Sequence, residues 1–128
     1  MDRRRFFLAA SAAVGAAAGL GSAAQAQQQN LACNCVLYAR SRVRSLTFGL
    51  HTQADKARII NDYAPAVGRV AVHSYNHVSV VNRVEYIRER NGSMTVMVTI
   101  GEANYRACQI GTRRDTPARL EIVGYFRP

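Results

Sequence analysis

Arg69-Val70-Ala71-Val72-His73 is a short apolar run, Ser74-Tyr75-Asn76 is turn-like, and His77-Val78-Ser79-Val80-Val81-Asn82-Arg83-Val84-Glu85-Tyr86-Ile87-Arg88 resumes a valine-rich pattern. Runs of β-branched residues bounded by turn residues predict two strands. Downstream, Met94, Val96, Val98 and Ile100 alternate on one face of a third strand, and Asn91-Gly92 ahead of it is a hairpin turn signal. A closing strand is expected over 119–126. Upstream the period becomes helical. From Cys35 to about Arg44, the apolar positions Val36, Leu37, Ala39 and Val43 define one buried side. Thr52-Gln53-Ala54-Asp55 has the form of a capping box, so a second helix should start there, with Ala57, Ile59 and Ile60 as its apolar stripe. Pro65 and Gly68 punctuate the loop between helices and strands. Helices first and an antiparallel sheet afterwards predict an α+β domain.

The chain starts Met1-Asp2-Arg3-Arg4-Arg5-Phe6-Phe7-Leu8, continues through small apolar residues, and reaches Ala24-Gln25-Ala26. A basic start, an apolar middle and an A-x-A site read as a signal peptide over 1–26, and the paired arginines before Phe6-Phe7-Leu8 give it a twin-arginine character. Export to the periplasm or the extracellular space follows, with no stable membrane anchor after cleavage. Residues 27–32 read as a flexible polar lead-in, and 33–128 as one small domain. The whole chain carries +9, and without the leader's three arginines and one aspartate the remainder carries +7. Such a charge favours anionic envelope polymers as partners in an exported protein, and nucleic acid is not expected. A monomer is expected.

Three cysteines are an odd number for an oxidising compartment. Cys33 and Cys35 lie too close in sequence for an easy mutual bridge, so Cys108 pairs with one of them or stays free. A Cys33–Cys108 disulfide is the favoured pairing, and it leaves Cys35 as the free thiol. A lipid-modified Cys33 is the rival, but Asn30 stands where a lipobox requires an apolar residue.

Cys35 opens the first helical run, where a helix N-terminus favours a thiolate. His77 sits where a turn enters a strand, a position that fixes a side chain while leaving an edge open to substrate. His73 reads as structural and His51 has no assigned role. Glu102 and Asn104, at the end of the third strand, are the candidates to orient the His77 imidazole, since a carboxylate or an amide can accept its N–H. A two-residue turn at Asn91-Gly92 would pair Arg90 with Ser93, set His77 opposite Arg106, and leave Glu102 opposite Val81. A bulge or a wider loop must change that register if Glu102 is to reach His77. A different use of the same residues, Cys33 and Cys35 with His73 and His77 as two sulfurs and two nitrogens, would be a zinc set.

Cys35-Val36-Leu37-Tyr38-Ala39-Arg40, Val67-Gly68-Arg69-Val70-Ala71-Val72, His77-Val78-Ser79-Val80-Val81, Glu102-Ala103-Asn104-Tyr105 and Ile122-Val123-Gly124-Tyr125, in that order, resemble the CHAP family of cysteine, histidine-dependent amidohydrolases/peptidases. The resemblance implies a papain-like α+β fold and hydrolysis of amide bonds in peptidoglycan or its peptides, with no cofactor. It places Cys35 as nucleophile, His77 as base, Glu102 as the group orienting it, and Asn104 as a further polar site position. The chain departs from many members in its compact segment before His77, its long interval from His77 to Glu102, and its lack of tryptophan. A non-catalytic, basic envelope-binding module on the same fold is the alternative.

Overall fold

The computed structural model describes residues 30–128, so the leader read at 1–26 lies outside the described residues. Within them the chain forms helices α1 (Cys35–Arg42) and α2 (Gln53–Ala57), then strands β1 (Val70–His73), β2 (Val78–Arg88), β3 (Met94–Ala103), β4 (Ile110–Asp115) and β5 (Ile122–Phe126). The strands make one sheet of order β4-β3-β2-β1-β5 with antiparallel neighbours throughout. This is an α+β architecture. Among the described residues no helix is long and apolar enough to cross a membrane.

Strand alternation sorts the core onto two faces. Val70, Val72, Val78, Val80 and Ala103 pack with Tyr38, Ala39, Val43, Leu46 and Leu50, which joins α1 and the loop after it to one side of the sheet. Ala71, Val81, Val98 and Ile100 pack with Leu120 and Tyr125 on the other. The buried stripe of α1 differs from the sequence expectation. Tyr38 and Ala39 are buried while Leu37 is exposed, because Cys35, Tyr38 and Ala39 share a helical face at i, i+3 and i+4. Tyr38 lies tight over β3, where a Cβ on Gly101 would come within 2.8 Å of its hydroxyl.

α2 begins as expected, with Thr52 and Asp55 forming a reciprocal capping box, but ends at Ala57. Ile59 and Ile60 continue the apolar stripe beyond the helix and pack against the α1 side of the core. The stretch 27–32 is not a free lead-in where it is described: residues 30–32 are helical, Ala32 is buried, and the Leu31 carbonyl accepts the Asn34 N–H at 3.2 Å. A disulfide at Cys33 ties down the residues just before it. The closing strand starts only at Ile122, since 117–121 form turns in which the Leu120 N–H donates to Thr116 O and the Ile122 N–H to Pro117 O. β4 has no counterpart in the sequence reading. Ile110-Gly111-Thr112-Arg113-Arg114-Asp115 is mostly exposed and shows no apolar alternation, so backbone pairing with β3 alone defines it as a strand.

Candidate active site

Asn34 caps α1, its side-chain oxygen accepting the N–H groups of Val36 at 3.0 Å and Leu37 at 3.1 Å. The cap makes Cys35 the first helical residue, where the positive end of the helix dipole favours a negative sulfur. Val36 and Leu37 are thereby occupied. Among the described residues, the Cys35 N–H is the first-turn donor left without a partner. Cys35 is the free cysteine and is partly buried on the sheet-facing side of α1.

β2 and β3 bring His77 and Glu102 together by changing register twice. Arg88 pairs with Met94 across a loop wider than a two-residue turn, in which the Asn91 side chain accepts the Ser93 N–H. A bulge at Asn82 then separates the Arg83–Thr99 pair from the Val81–Ile100 pair. Carried one step beyond Val80–Gly101, this register sets Glu102 opposite Ser79 and therefore diagonal to His77, within reach of a long side chain. His77 Nε2 and Glu102 Oε1 are 2.8 Å apart, and both side chains are buried. With Nε2 so engaged, Nδ1 is the ring nitrogen left to face the Cys35 sulfur, whose thiol pKa His77 and the Val78 backbone both lower.

Arg113, on β4, completes the arrangement behind Glu102. Its Nη2 donates to Glu102 Oε1 at 2.9 Å and to the Tyr75 hydroxyl at 2.8 Å, while Nε donates to Oε2. Its guanidinium lies 3.4 Å from the Tyr105 ring centroid. Tyr75 stacks on His77 with the planes 9° apart. The carboxylate is thus gripped from both sides, and its orientation is not free to drift.

Asn104 does not join this group. β3 ends at Ala103, Asn104 turns into the left-handed region at φ 64°, and its side-chain oxygen accepts the Cys108 N–H at 3.0 Å. The Asn104 oxygen is thereby engaged within its own loop. Of the two candidates, Glu102 is the residue on His77.

His73 is buried with both ring nitrogens engaged, Nδ1 to Leu120 O at 2.7 Å and Nε2 to Ser79 Oγ at 2.8 Å. A carbonyl only accepts, so Nδ1 carries the proton and Nε2 accepts from the serine. Burial holds its pKa down to about 4, which keeps it neutral beside His77, whose ring centroid is 4.9 Å away.

Electrostatics favour a separated proton across Cys35 and His77. Burial pushes the Cys35 thiol up, but the His77 and Val78 hydrogen bonds and the charges of His77 and Lys56 outweigh it, so its pKa lies below the ordinary value. Burial pushes His77 down, and its hydrogen bonds to Cys35 and Glu102 raise it above the ordinary value. Glu102 is also resisted by burial, yet His77 and Arg113 hold its carboxyl below the usual range. The set is a thiol shifted toward its thiolate, an imidazole shifted toward its imidazolium, a carboxylate and a guanidinium in sequence. Such a chain can deliver a nucleophilic sulfur and a proton donor side by side.

Cys33 and Cys108 form a disulfide with their Cα atoms 3.9 Å apart, the bond expected from the cysteine count. It removes Cys33 from any zinc set. The ligand atoms of His73, His77 and Glu102 do lie within 4.8 Å of one another. Both nitrogens of His73 are already bonded, however, and Arg113 occupies Glu102, so the donor set does not suit a cation. The disulfide is of the kind an oxidising compartment forms, in keeping with export. It also fastens the loop after β3 beside the start of α1, and that loop borders a cleft of about 290 Å³ lined by Glu102, Tyr105, Arg106, Gln109, Gly111 and Arg113 among others.

Sequence reasoning missed Arg113, Tyr75, Ser79 and Lys56 as members of the site. Tyr75 and Ser79 flank His77 closely enough to have been named from spacing alone. Arg113 gave no signal, because an arginine in a polar, unpatterned strand looks like any solvated arginine. No family model, curated protein or solved structure matches this chain.

Proposed function

We propose that the protein is an exported cysteine amidohydrolase or peptidase of CHAP-like, papain-like type that cleaves amide bonds of peptidoglycan or its peptides in the periplasm or outside the cell. The observation that carries the reading is the run Cys35, His77, Glu102, with a thiol at a helix start, an imidazole against it, and a carboxylate on the imidazole's far nitrogen at 2.8 Å. In this reaction the Cys35 thiolate attacks the carbonyl carbon, and the oxyanion forms next to the free Cys35 N–H. The His77 imidazolium gives its proton to the departing amine. Neutral His77 then takes a proton from water, and the resulting hydroxide releases the acyl group from the sulfur. Glu102 keeps Nε2 protonated and compensates the charge on the ring throughout. The basic surface supports attraction to anionic envelope polymers.

Digestion of purified peptidoglycan followed by mass spectrometry of the muropeptides tests the proposal and identifies the bond. Mature wild-type protein should release new amine termini, and Cys35→Ala should release none. Equal cleavage by both proteins sinks the mechanism. Absence of cleavage by wild type, together with a Cys35 that iodoacetamide does not label at neutral pH, returns the chain to the reading as a non-catalytic envelope-binding module.

A further inference from the structure

Gly111 sits inside β4 although the backbone does not require a glycine there. Its φ is not in the left-handed region, and the pairs Gly101–Thr112, Glu102–Gly111 and Ala103–Ile110 run through it without a bulge. Glycine weakens a strand, and one that neither bends nor bulges marks a place where another group comes close. At Gly101 that group belongs to the protein, since a Cβ would strike the Tyr38 hydroxyl and the Asn82 side chain. At Gly111, among the described residues, no atom beyond its chain neighbours lies within 4 Å of where a Cβ would be. Cross-strand partners share a sheet face, so this open space lies beside the Glu102 carboxylate. Gly111 lines the cleft of about 290 Å³, which its lack of a side chain keeps open.

The cleft adjoins the imidazole. Glu102 lines it and holds His77 at 2.8 Å, and Tyr105, another of its walls, has its ring centroid 6.1 Å from that of His77. Its charge is positive. Arg106 and Arg113 line it with Glu102 as the one acidic group, and Arg113 already matches Glu102 through both carboxylate oxygens. Arg106 remains, and it joins no ion pair among the described residues. Its loop is held in place, because the Arg106 carbonyl accepts the Gln109 N–H at 3.0 Å and Cys108 is bonded to Cys33. Arg113 spends Nε and Nη2 on Glu102 and Tyr75, so its Nη1 N–H groups are uncommitted among the described residues. A guanidinium presents paired N–H groups that match a carboxylate.

We infer that this cleft is a substrate subsite for a carboxylate-bearing residue of a peptide, with Arg106 as its anion-binding side chain and Gly111 as the position that leaves room for it. The inference rests on amide hydrolysis at Cys35 as the proposed function, and it names the class of peptide that the site selects. At about 290 Å³ the cleft is at the small end of ligand pockets and accommodates about one or two residues. An acidic residue anchored there sets a neighbouring amide bond beside the imidazole. Converting its carboxylate to a carboxamide removes the anion with little change of size, so the acid and amide forms of one peptide discriminate between charge and shape.

Binding to the Cys35→Ala protein reads the subsite without turnover. The probes are a soluble peptidoglycan stem peptide and the same peptide with its carboxylates converted to carboxamides, each titrated while Kd and backbone amide NMR shifts are recorded. The acid form should bind about tenfold or more tighter, with shifts at Gln109, Gly111 and Thr112. Arg106→Gln should bring the two peptides to similar affinity. Gly111→Val, which no atom of the described residues obstructs and which suits a strand, should weaken the acid form severalfold without lowering the urea midpoint. Equal affinity for the two peptides, binding of neither, or an acid-form Kd unchanged by either substitution overturns the inference. Failure of the hydrolytic reading looks different. A wild-type protein that digests acidic and amidated peptidoglycan at equal rates keeps the hydrolysis and loses the subsite, whereas carboxylate-selective binding by a protein that cleaves nothing keeps the binding site and loses the hydrolysis.

Discussion

At Glu102 two demands meet on one carboxylate. Oε1 takes both the His77 Nε2 contact and an Arg113 N–H, while Oε2 is held by Arg113 Nε. Glu102→Gln keeps the size of the side chain but removes the charge that compensates the imidazolium, and its amide leaves the guanidinium without an anionic partner. For the proposed reaction kcat should fall by roughly a hundredfold or more, with KM little changed, because the imidazolium that must accompany the thiolate and protonate the leaving amine is no longer compensated or oriented. Steady-state kinetics on a soluble muropeptide check this, and a kcat within a few-fold of wild type would show that Glu102 is structural. The thiol and imidazole were readable as candidates from Cys35 and His77, since chain position alone placed one at a helix start and the other at a strand entry. The choice between Glu102 and Asn104 was not readable. It turns on whether the chain is still in a strand or already in a left-handed turn, a difference of two residues at Ala103.

At the scale of elements, the site depends on how α1 is pressed onto the sheet. Tyr38 follows Cys35 on the same helical face and packs against Gly101, next to Glu102, so one close approach sets the height of both the thiol and the carboxylate. A methyl group at Gly101 would meet the Tyr38 hydroxyl at 2.8 Å and the Asn82 amide nitrogen at 2.7 Å. Gly101→Ala is therefore expected to destabilise the fold by about 1–3 kcal/mol through overpacking. It should also slow iodoacetamide labelling of Cys35 at neutral pH, because α1 is displaced from His77. Urea denaturation and alkylation rates measure the two effects. Stability loss without any change in labelling would mean that the helix yields elsewhere. The helix starts were legible from local chemistry, as the Thr52–Asp55 capping box illustrates. The register between β2 and β3 was not. The bulge at Asn82 and the wide loop near Asn91 each shift the pairing, and neither leaves a pattern that strand alternation would reveal.

For the whole molecule, the disulfide closes a sequence separation of 75 residues and removes about 4 kcal/mol of chain freedom from the unfolded state in the loop-entropy view. That constraint matters for a small domain whose buried polar groups are expensive. His73 is one of them. Its folded pKa of about 4 lies below the ordinary 6.5, so the unfolded chain binds this proton first as the pH falls. Stability should therefore be full above the unfolded value and decline as the pH drops through the window between the two. The loss amounts to about 2 kcal/mol between pH 7 and pH 5, and about 3 kcal/mol once below pH 4. Glu102, with its carboxyl held below the usual range, adds a further loss at still lower pH as it is protonated. Urea midpoints at pH 7 and pH 5 test the His73 share, which His73→Asn should flatten. The same pH 7 to pH 5 change in wild type and in His73→Asn would mean that the imidazole is not held neutral, a comparison in which the opposite contribution of His77 cancels.

From its residues alone the chain specified an α+β order of elements, a helix beginning at Cys35 and a strand entered at His77, while its odd cysteine count made Cys33–Cys108 the favoured of the open pairings, the one the structure forms. These are local or arithmetical properties, set by propensity, capping and the number of thiols. The partners of each group came only with the tertiary structure. Arg113 reaches Glu102 across a strand that backbone pairing alone creates, and Lys56 is buried by packing that no local pattern announces. Charge compensation in a low-dielectric site depends on distances between residues far apart in the chain, and those distances exist only once the sheet has chosen its register.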